Sequence, residues 1–288
     1  MSFTPGSSME MIIKKNYRTL TVAFFGTLLV LVFLPAWRDL IEFWYTNDDY
    51  NHGFLVLPIS VYLCFRIYRL NNNIPIDRSS WGLLFLTFSI LIYIVASFAG
   101  INTLAYLSIV TTVFSLTLYI FGSFHVRSYL FPIFFLIFMI PVPAQIFSLL
   151  TIPLQLFVSA ASCEIARFIG IPVLREGNII HIPGYTLQVV QACSGLRSVI
   201  SILMICTLFG YMALTRNALR VALCLFAVPV AIFVNIFRVT VMVALFYFFD
   251  IDVTTETVHT FFGVAVFLLA LVAIFCFRGF LSRWERRS

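Results

Sequence analysis

Three residues in the carboxy-terminal half of the chain have side chains suited to one reaction. Cys193 opens an apolar run, Arg238 closes the next one, and His259 precedes the last. A thiolate can attack a carbonyl carbon, an imidazole can hand a proton to the leaving amine, and a fixed cation can stabilise the oxyanion formed between them. Cysteine becomes a good nucleophile when its pKa falls, which a helix amino terminus, a nearby cation or a histidine each promotes. The stretch VVQACSGLRS, residues 189 to 198, supplies such a setting: Cys193 enters a helix and Arg197 follows one turn later.

Depth brings the three together. Cys193 precedes Arg216 by 23 residues, roughly 35 Å of helix; Arg220 to Arg238 is 18 residues, about 27 Å; His259 to Arg278 is 19 residues, about 28 Å. Each length matches a hydrocarbon core of about 30 Å. If Arg216, Arg220 and Arg278 mark one membrane face, then Cys193, Arg238 and His259 share a level at the other. An arginine just inside an apolar run is costly unless paired or solvated. A cysteine or histidine at a helix end, by contrast, is commonly a plain core or interface residue.

Four further residues are candidates for supporting roles. Arg197 can tune the thiol or bind helix backbone. Ser194 is a rival nucleophile that needs an aligned base. Asn235 lies three residues before Arg238 on the same face, the type of buried amide that hydrogen-bonds between helices. His52 sits in the polar segment NDDYNHGF beside Asp48 and Asp49, whose spacing fits no strong metal signature. No metal or organic cofactor is implied.

The elements that must position these residues are membrane helices. Of the 288 residues, 61% are hydrophobic and 10% charged, which excludes an ordinary globular domain. Eight crossings are expected: Leu20–Trp37, Phe54–Leu70, Trp81–Gly100, Thr103–Phe121, Tyr129–Ala144, Cys193–Leu214, Ala218 to about Val239, and Thr260–Phe280. With both termini cytoplasmic, the inner segments hold Lys14, Lys15, Arg18, Arg66, Arg69, Arg78, Arg127, Arg216, Arg220, Arg278, Arg283, Arg286 and Arg287, thirteen of the 18 basic residues. The net charge of +6 is therefore a topology signal, and nucleic-acid binding is excluded as its explanation. Six cysteines without a CxxC pair suggest no disulfide framework. The fold expected is an all-α polytopic membrane protein, a single domain over residues 1–288. It has a cytoplasmic segment at 1–19, a basic cytoplasmic tail at 281–288, and a small extracytoplasmic hairpin before the sixth helix.

Between the fifth and sixth crossings, Gln145, Ser148, Thr151, Gln155, Ser159 and Ser162 recur at steps of three or four. That spacing makes one polar stripe on an apolar helix, lying in the interface or lining a groove. Turn signals at Glu176-Gly177-Asn178 and Pro183-Gly184 then mark the hairpin leading into Cys193.

Four stretches carry a resemblance to a known family: DYNHGFLVLP (49–58), FPIFFLIFMIPVP (131–143), VVQACSGLRS (189–198), and Asn235 with Arg238 followed by His259 in HTFFGVAVFLLAL. Together they resemble the exosortase/archaeosortase family of membrane transpeptidases. One departure is Asn51, where the family commonly has serine. The resemblance implies an active-site trio at Cys193, Arg238 and His259, the residues selected by depth. It further implies clients that are secreted proteins with a carboxy-terminal sorting tail: a short motif of PEP-CTERM type, a transmembrane helix and a basic cluster. The reaction expected is cleavage on the outer face of the cytoplasmic membrane, with resolution by a cell-surface nucleophile or water. Two readings from other classes stand beside it: a transporter of an anionic envelope precursor using Arg238 and Arg197, and an acyl or glycosyl-lipid transferase using His259 or His52.

Overall fold

A computed structural model describes residues 20–70, 79–189, 196–251 and 256–287, with the side chains of 256–260 outside the description. Cys193, Ser194 and the amino-terminal segment 1–19 therefore lie outside the described residues. The chain divides into two compact units, Met1–Pro141 and Val142–Ser288. Among the described residues, seven helices are long and apolar enough to cross a membrane, or eight if the bent first pair counts as one span. The protein is an all-α polytopic membrane protein apart from one small sheet.

In the first unit, α1 (Leu20–Val32) and α2 (Leu34–Thr46) meet at a 72° bend. The sequence suggests a straight crossing there. Pro35, in the first turn of α2, lacks the N–H that would continue the ladder, so the break falls where the chain can best tolerate it. A short 3₁₀ turn (Asp48–Tyr50) leads to α3 (Gly53–Leu70), followed by α4 (Ser80–Ala99) and α5 (Asn102–Phe135).

The helix α4 packs on α5 through a seam of small buried residues spaced by seven, Gly82, Ser89 and Ala96. At Gly82 the backbones touch: a Cβ there would collide with the backbone of Tyr119. Small residues permit this close approach where lipid provides no hydrophobic drive between helices. The Ser89 hydroxyl donates to the carbonyl of Ser108 at 2.9 Å and lies 2.8 Å from the Thr112 hydroxyl, so the seam is also hydrogen-bonded.

Gly122, with φ 78° and ψ 174°, interrupts α5. Thr103 Oγ1 donates to the carbonyl of Pro141 at 3.4 Å. A straight helix would hold those residues roughly 57 Å apart at 1.5 Å per residue, so the chain doubles back at the glycine. The two passes correspond to the expected crossings Thr103–Phe121 and Tyr129–Ala144, although the second ends in a 3₁₀ turn at Leu136–Met139.

The second unit begins with α6 (Ala144–Phe168), itself long and apolar enough to span. Its polar stripe does not line an open groove over most of its length. Thr151, Gln155, Ser159 and Ser162 are buried, while Gln145 is exposed. Ser162 donates to the carbonyl of Ile236 at 3.2 Å and Ser159 to that of Gly177 at 3.1 Å, so the stripe is internal packing.

Instead of one hairpin, three antiparallel strands follow: β1 (Leu174–Glu176), β2 (Ile179–Ile182) and β3 (Tyr185–Gln188), in that order. Both turn signals are used, each joining one strand pair. Gly177 (φ 63°) and Gly184 (φ 80°) take the left-handed backbone their turns require, and proline before Gly184 suits a type II turn. Ile180, Ile182 and Leu187 face the helices, in one core with Val158 and Ala166 of α6 and Val239, Met242 and Val243 further on.

The remaining helices are α7 (Leu196–Ala213), α8 (Asn217–Phe249) and α9 (Glu256–Arg287). The helix α8 continues well past the expected end near Val239. The residues beyond Arg238 are apolar and have the sheet to cover them, with Phe246 stacked on Tyr185 at 4.1 Å between centroids. The end of α9 returns to the start of α8: Glu285 accepts hydrogen bonds from the N–H and hydroxyl of Thr215 and from the N–H of Arg216. The segment 281–287, expected as a tail, is thus the last two turns of α9.

Candidate functional site

The described part of the site is built on α8 and α9. Asn235 and Arg238, three residues apart, occupy one face of α8, and both are buried, Arg238 with only 6% of its surface exposed. Burying a guanidinium in an apolar bundle is expensive, so its position indicates a role that hydrophobic packing would not select.

What makes room for it is a glycine. A Cβ placed on Gly263 of α9 would lie 3.6 Å from one terminal nitrogen of Arg238, 3.8 Å from its Cζ and 3.9 Å from the other terminal nitrogen. The guanidinium therefore rests directly over the bare backbone of α9. His259 stands four residues earlier in the same helix, so the backbone register stacks its position above Gly263 on the Arg238-facing side. The His259 position is thus one helical turn from the glycine on which Arg238 rests, and its side chain lies outside the described residues.

The third, Cys193, lies outside the described residues, but the chain is anchored on either side of it. Val189, just past β3, is buried and paired with Asn178: its N–H donates to the Asn178 carbonyl at 2.9 Å, and Asn178 Nδ2 donates back to the Val189 carbonyl at 3.0 Å. Leu196, at the start of α7, is buried as well, and Arg197 beside it is half-buried in the first turn. The sheet's local role is to fix the chain just before the cysteine segment. Ser159 of α6, bonded to the carbonyl of Gly177, ties the same turn down from the other side.

His52 belongs to the first unit, where it has a definite partner. Its Nε2 lies 3.1 Å from the carbonyl of Phe138, and Trp44 Nε1 donates to the next carbonyl, that of Met139, at 2.9 Å. Ser60 donates to the carbonyl of Pro132 at 2.8 Å. Two of the stretches that carry the family resemblance, around His52 and around Phe131–Pro143, are therefore packed on each other. Gly53 is part of the same joint, since a Cβ there would meet the Trp44 ring at 2.5 Å.

Sequence reasoning missed Gly263, Asn178 and Trp44. A glycine one turn after His259 in an apolar helix is the available signal for the first; Asn178 reads only as part of a turn, with no sign of its bond to Val189, and nothing in residue type announces Trp44.

Fold and site define a polytopic membrane protein with a buried arginine on α8 against a glycine of α9, and a small sheet just past which Val189, the last described residue before the cysteine segment, is tied to Asn178. The chain belongs to the transmembrane exosortase family, whose model matches residues 44–276. No curated protein and no solved structure matches it. The matched span contains all four stretches noted above and reaches across both units.

Proposed function

We propose that this chain is a cysteine peptidase or transpeptidase that trims the sorting tail of secreted proteins at the outer face of the cytoplasmic membrane. The observation that carries the reading is the seat of Arg238: a buried cation held over Gly263, one helical turn from the position of His259. Family membership supports the reaction class.

The steps follow from the residue types. The Cys193 thiolate attacks the carbonyl carbon of the peptide bond just before the client's transmembrane helix. Arg238 stabilises the oxyanion of the tetrahedral intermediate as a preorganised donor. Collapse of that intermediate breaks the C–N bond, His259 gives a proton to the departing amine, and a thioester to the client remains. A cell-surface amine or water, deprotonated by the now neutral His259, attacks the thioester and returns the thiolate. Asn235 and Arg197 hold positioning roles, and Ser194 follows the nucleophile without replacing it. His52 supports the fold of the first unit through its bond to Phe138.

The client presents its helix to the bilayer and its basic cluster to the cytoplasm, so that on this reading the scissile bond stands at the level of Arg238, within the outer half of α8. The test is cleavage of a secreted reporter carrying such a tail from the same genome. Cys193→Ala should leave the tail attached and the reporter in the membrane, with the variant protein present at wild-type levels. Cleavage that continues without the thiol would transfer the reading to a histidine-dependent transferase or a transporter.

A further inference from the structure

The carboxy-terminal part of α9 bears a groove of about 570 Å³ lined by Val272, Phe275, Cys276, Gly279, Phe280 and Arg283. These positions recur at steps of three and four and so share one helix face. Gly279 forms the notch, with no atom within 4 Å of where its Cβ would stand. The walls are uncovered: Val272 and Phe280 are each more than half exposed.

From Val272 to Arg283 is eleven residues, roughly 16 Å, about half of a 30 Å hydrocarbon core. The groove is thus one leaflet long and ends on a cation. Arg283 is exposed, followed by exposed Trp284, Arg286 and Arg287. Glu285, the acid on that turn, is occupied by the backbone amides of Thr215 and Arg216. Among the described residues no carboxylate lies within ion-pair distance of Arg283.

We infer that this groove binds an anionic glycerophospholipid of the cytoplasmic leaflet, with an acyl chain along Val272–Phe280 and the phosphate at Arg283. Charge decides among the occupants. A client helix ending in a basic cluster would set like charges against Arg283, Arg286 and Arg287, and a second parallel copy would do the same. A phosphate supplies the missing anion, and basic residues at the cytoplasmic end of a span are where such headgroups bind. Exposed Trp284 has the amphipathic ring that favours the headgroup level.

Cys276 is a reporter inside the groove, exposed and unpaired. The full chain retaining only that cysteine is placed in bilayer discs of phosphatidylcholine, with or without phosphatidylglycerol, and its alkylation by a bilayer-permeant maleimide is timed. Phosphatidylglycerol should slow labelling about fivefold, the factor expected for one basic residue at an anionic surface. Arg283→Gln should abolish most of the slowing, and Arg283→Lys should keep it. Equal rates in the two bilayers, or slowing that survives Arg283→Gln, would overturn the site. Protection in pure phosphatidylcholine by an added apolar helix with a basic tail would assign the groove to a peptide and overturn it as well. The readout does not involve Cys193, so it stands or falls apart from the catalytic proposal.

Discussion

Replacing Gly263 separates a seat for Arg238 from mere helix packing. In Gly263→Ala the new methyl carbon would stand 3.6 to 3.9 Å from the guanidinium atoms, ordinary van der Waals contact that requires nothing to move. Alanine also favours a helix over glycine by about 1 kcal/mol, so the variant should fold at least as well. In Gly263→Leu the isobutyl group must extend beyond that carbon into the volume the guanidinium occupies, and Arg238, enclosed on α8, has to shift. A displacement on the order of 1 Å at a reacting centre can cost a hundredfold in rate, and loss of one oxyanion donor costs about 10² to 10³ in kcat. The expectation is a kcat for Gly263→Ala within about threefold of wild type, and for Gly263→Leu a fall of about 10² to 10³. Arg238→Gln should match the leucine variant. The assay is tail cleavage of a reporter in membrane vesicles, with KM and protein level measured alongside. The reasoning is refuted if Gly263→Leu cleaves at the wild-type rate while Arg238→Gln is inactive, or if Gly263→Ala is as damaged as Gly263→Leu.

Other perturbations probe the elements that hold the site. Gly82→Ala forces a methyl group onto the backbone of Tyr119, so α4 and α5 must separate; overpacking of this kind costs about 1 to 3 kcal/mol, and protease resistance and thermal melting of the purified protein should both drop. Ser162→Ala removes the hydrogen bond to the carbonyl of Ile236 from a fully buried position; interhelical bonds in membranes average about 0.6 kcal/mol, so a fall in melting temperature with cleavage largely retained is expected. Asn178→Ala deletes the bond to the Val189 carbonyl that fixes the chain ahead of the cysteine segment. It should lower kcat more than stability, which is measured by comparing cleavage with thermal melting; equal cleavage in variant and wild type would deny the sheet its positioning role.

Much of this arrangement is legible in the sequence because one physical rule governs it: apolar length. The spans around α3, α4, α7 and α9 follow from hydropathy, and the reversal between Thr103 and Pro141 from the polar break near Gly122. Strand turns announce themselves through Gly177 and Gly184, since few other residues accept positive φ. Lateral packing is another matter. The stripe from Thr151 to Ser162 has the spacing of a groove-lining face, yet the same spacing serves when its hydroxyls bond to Ile236 and Gly177. Arg238 looked like the end of an apolar run; the residues after it continue the helix because the sheet is there to cover them, a contact made by chain far away in sequence. His52 reads from sequence as a supporting candidate in a polar segment, and its partner is a backbone carbonyl, that of Phe138, which no residue type can signal. Depth along a helix is read from residue counts, whereas which face meets which neighbour depends on the fold.

The most direct test of the central claim is the ionisation of the nucleophile. Cys193 is kept as the only one of the six cysteines, and its alkylation by a membrane-impermeant reagent is followed against pH on intact cells. The account predicts outward-facing labelling that stays fast well below the free-cysteine pKa of about 8.5, and that slows when Arg238 or His259 is replaced. An ordinary thiol profile, unchanged by either replacement in a protein that still trims its clients, would contradict it.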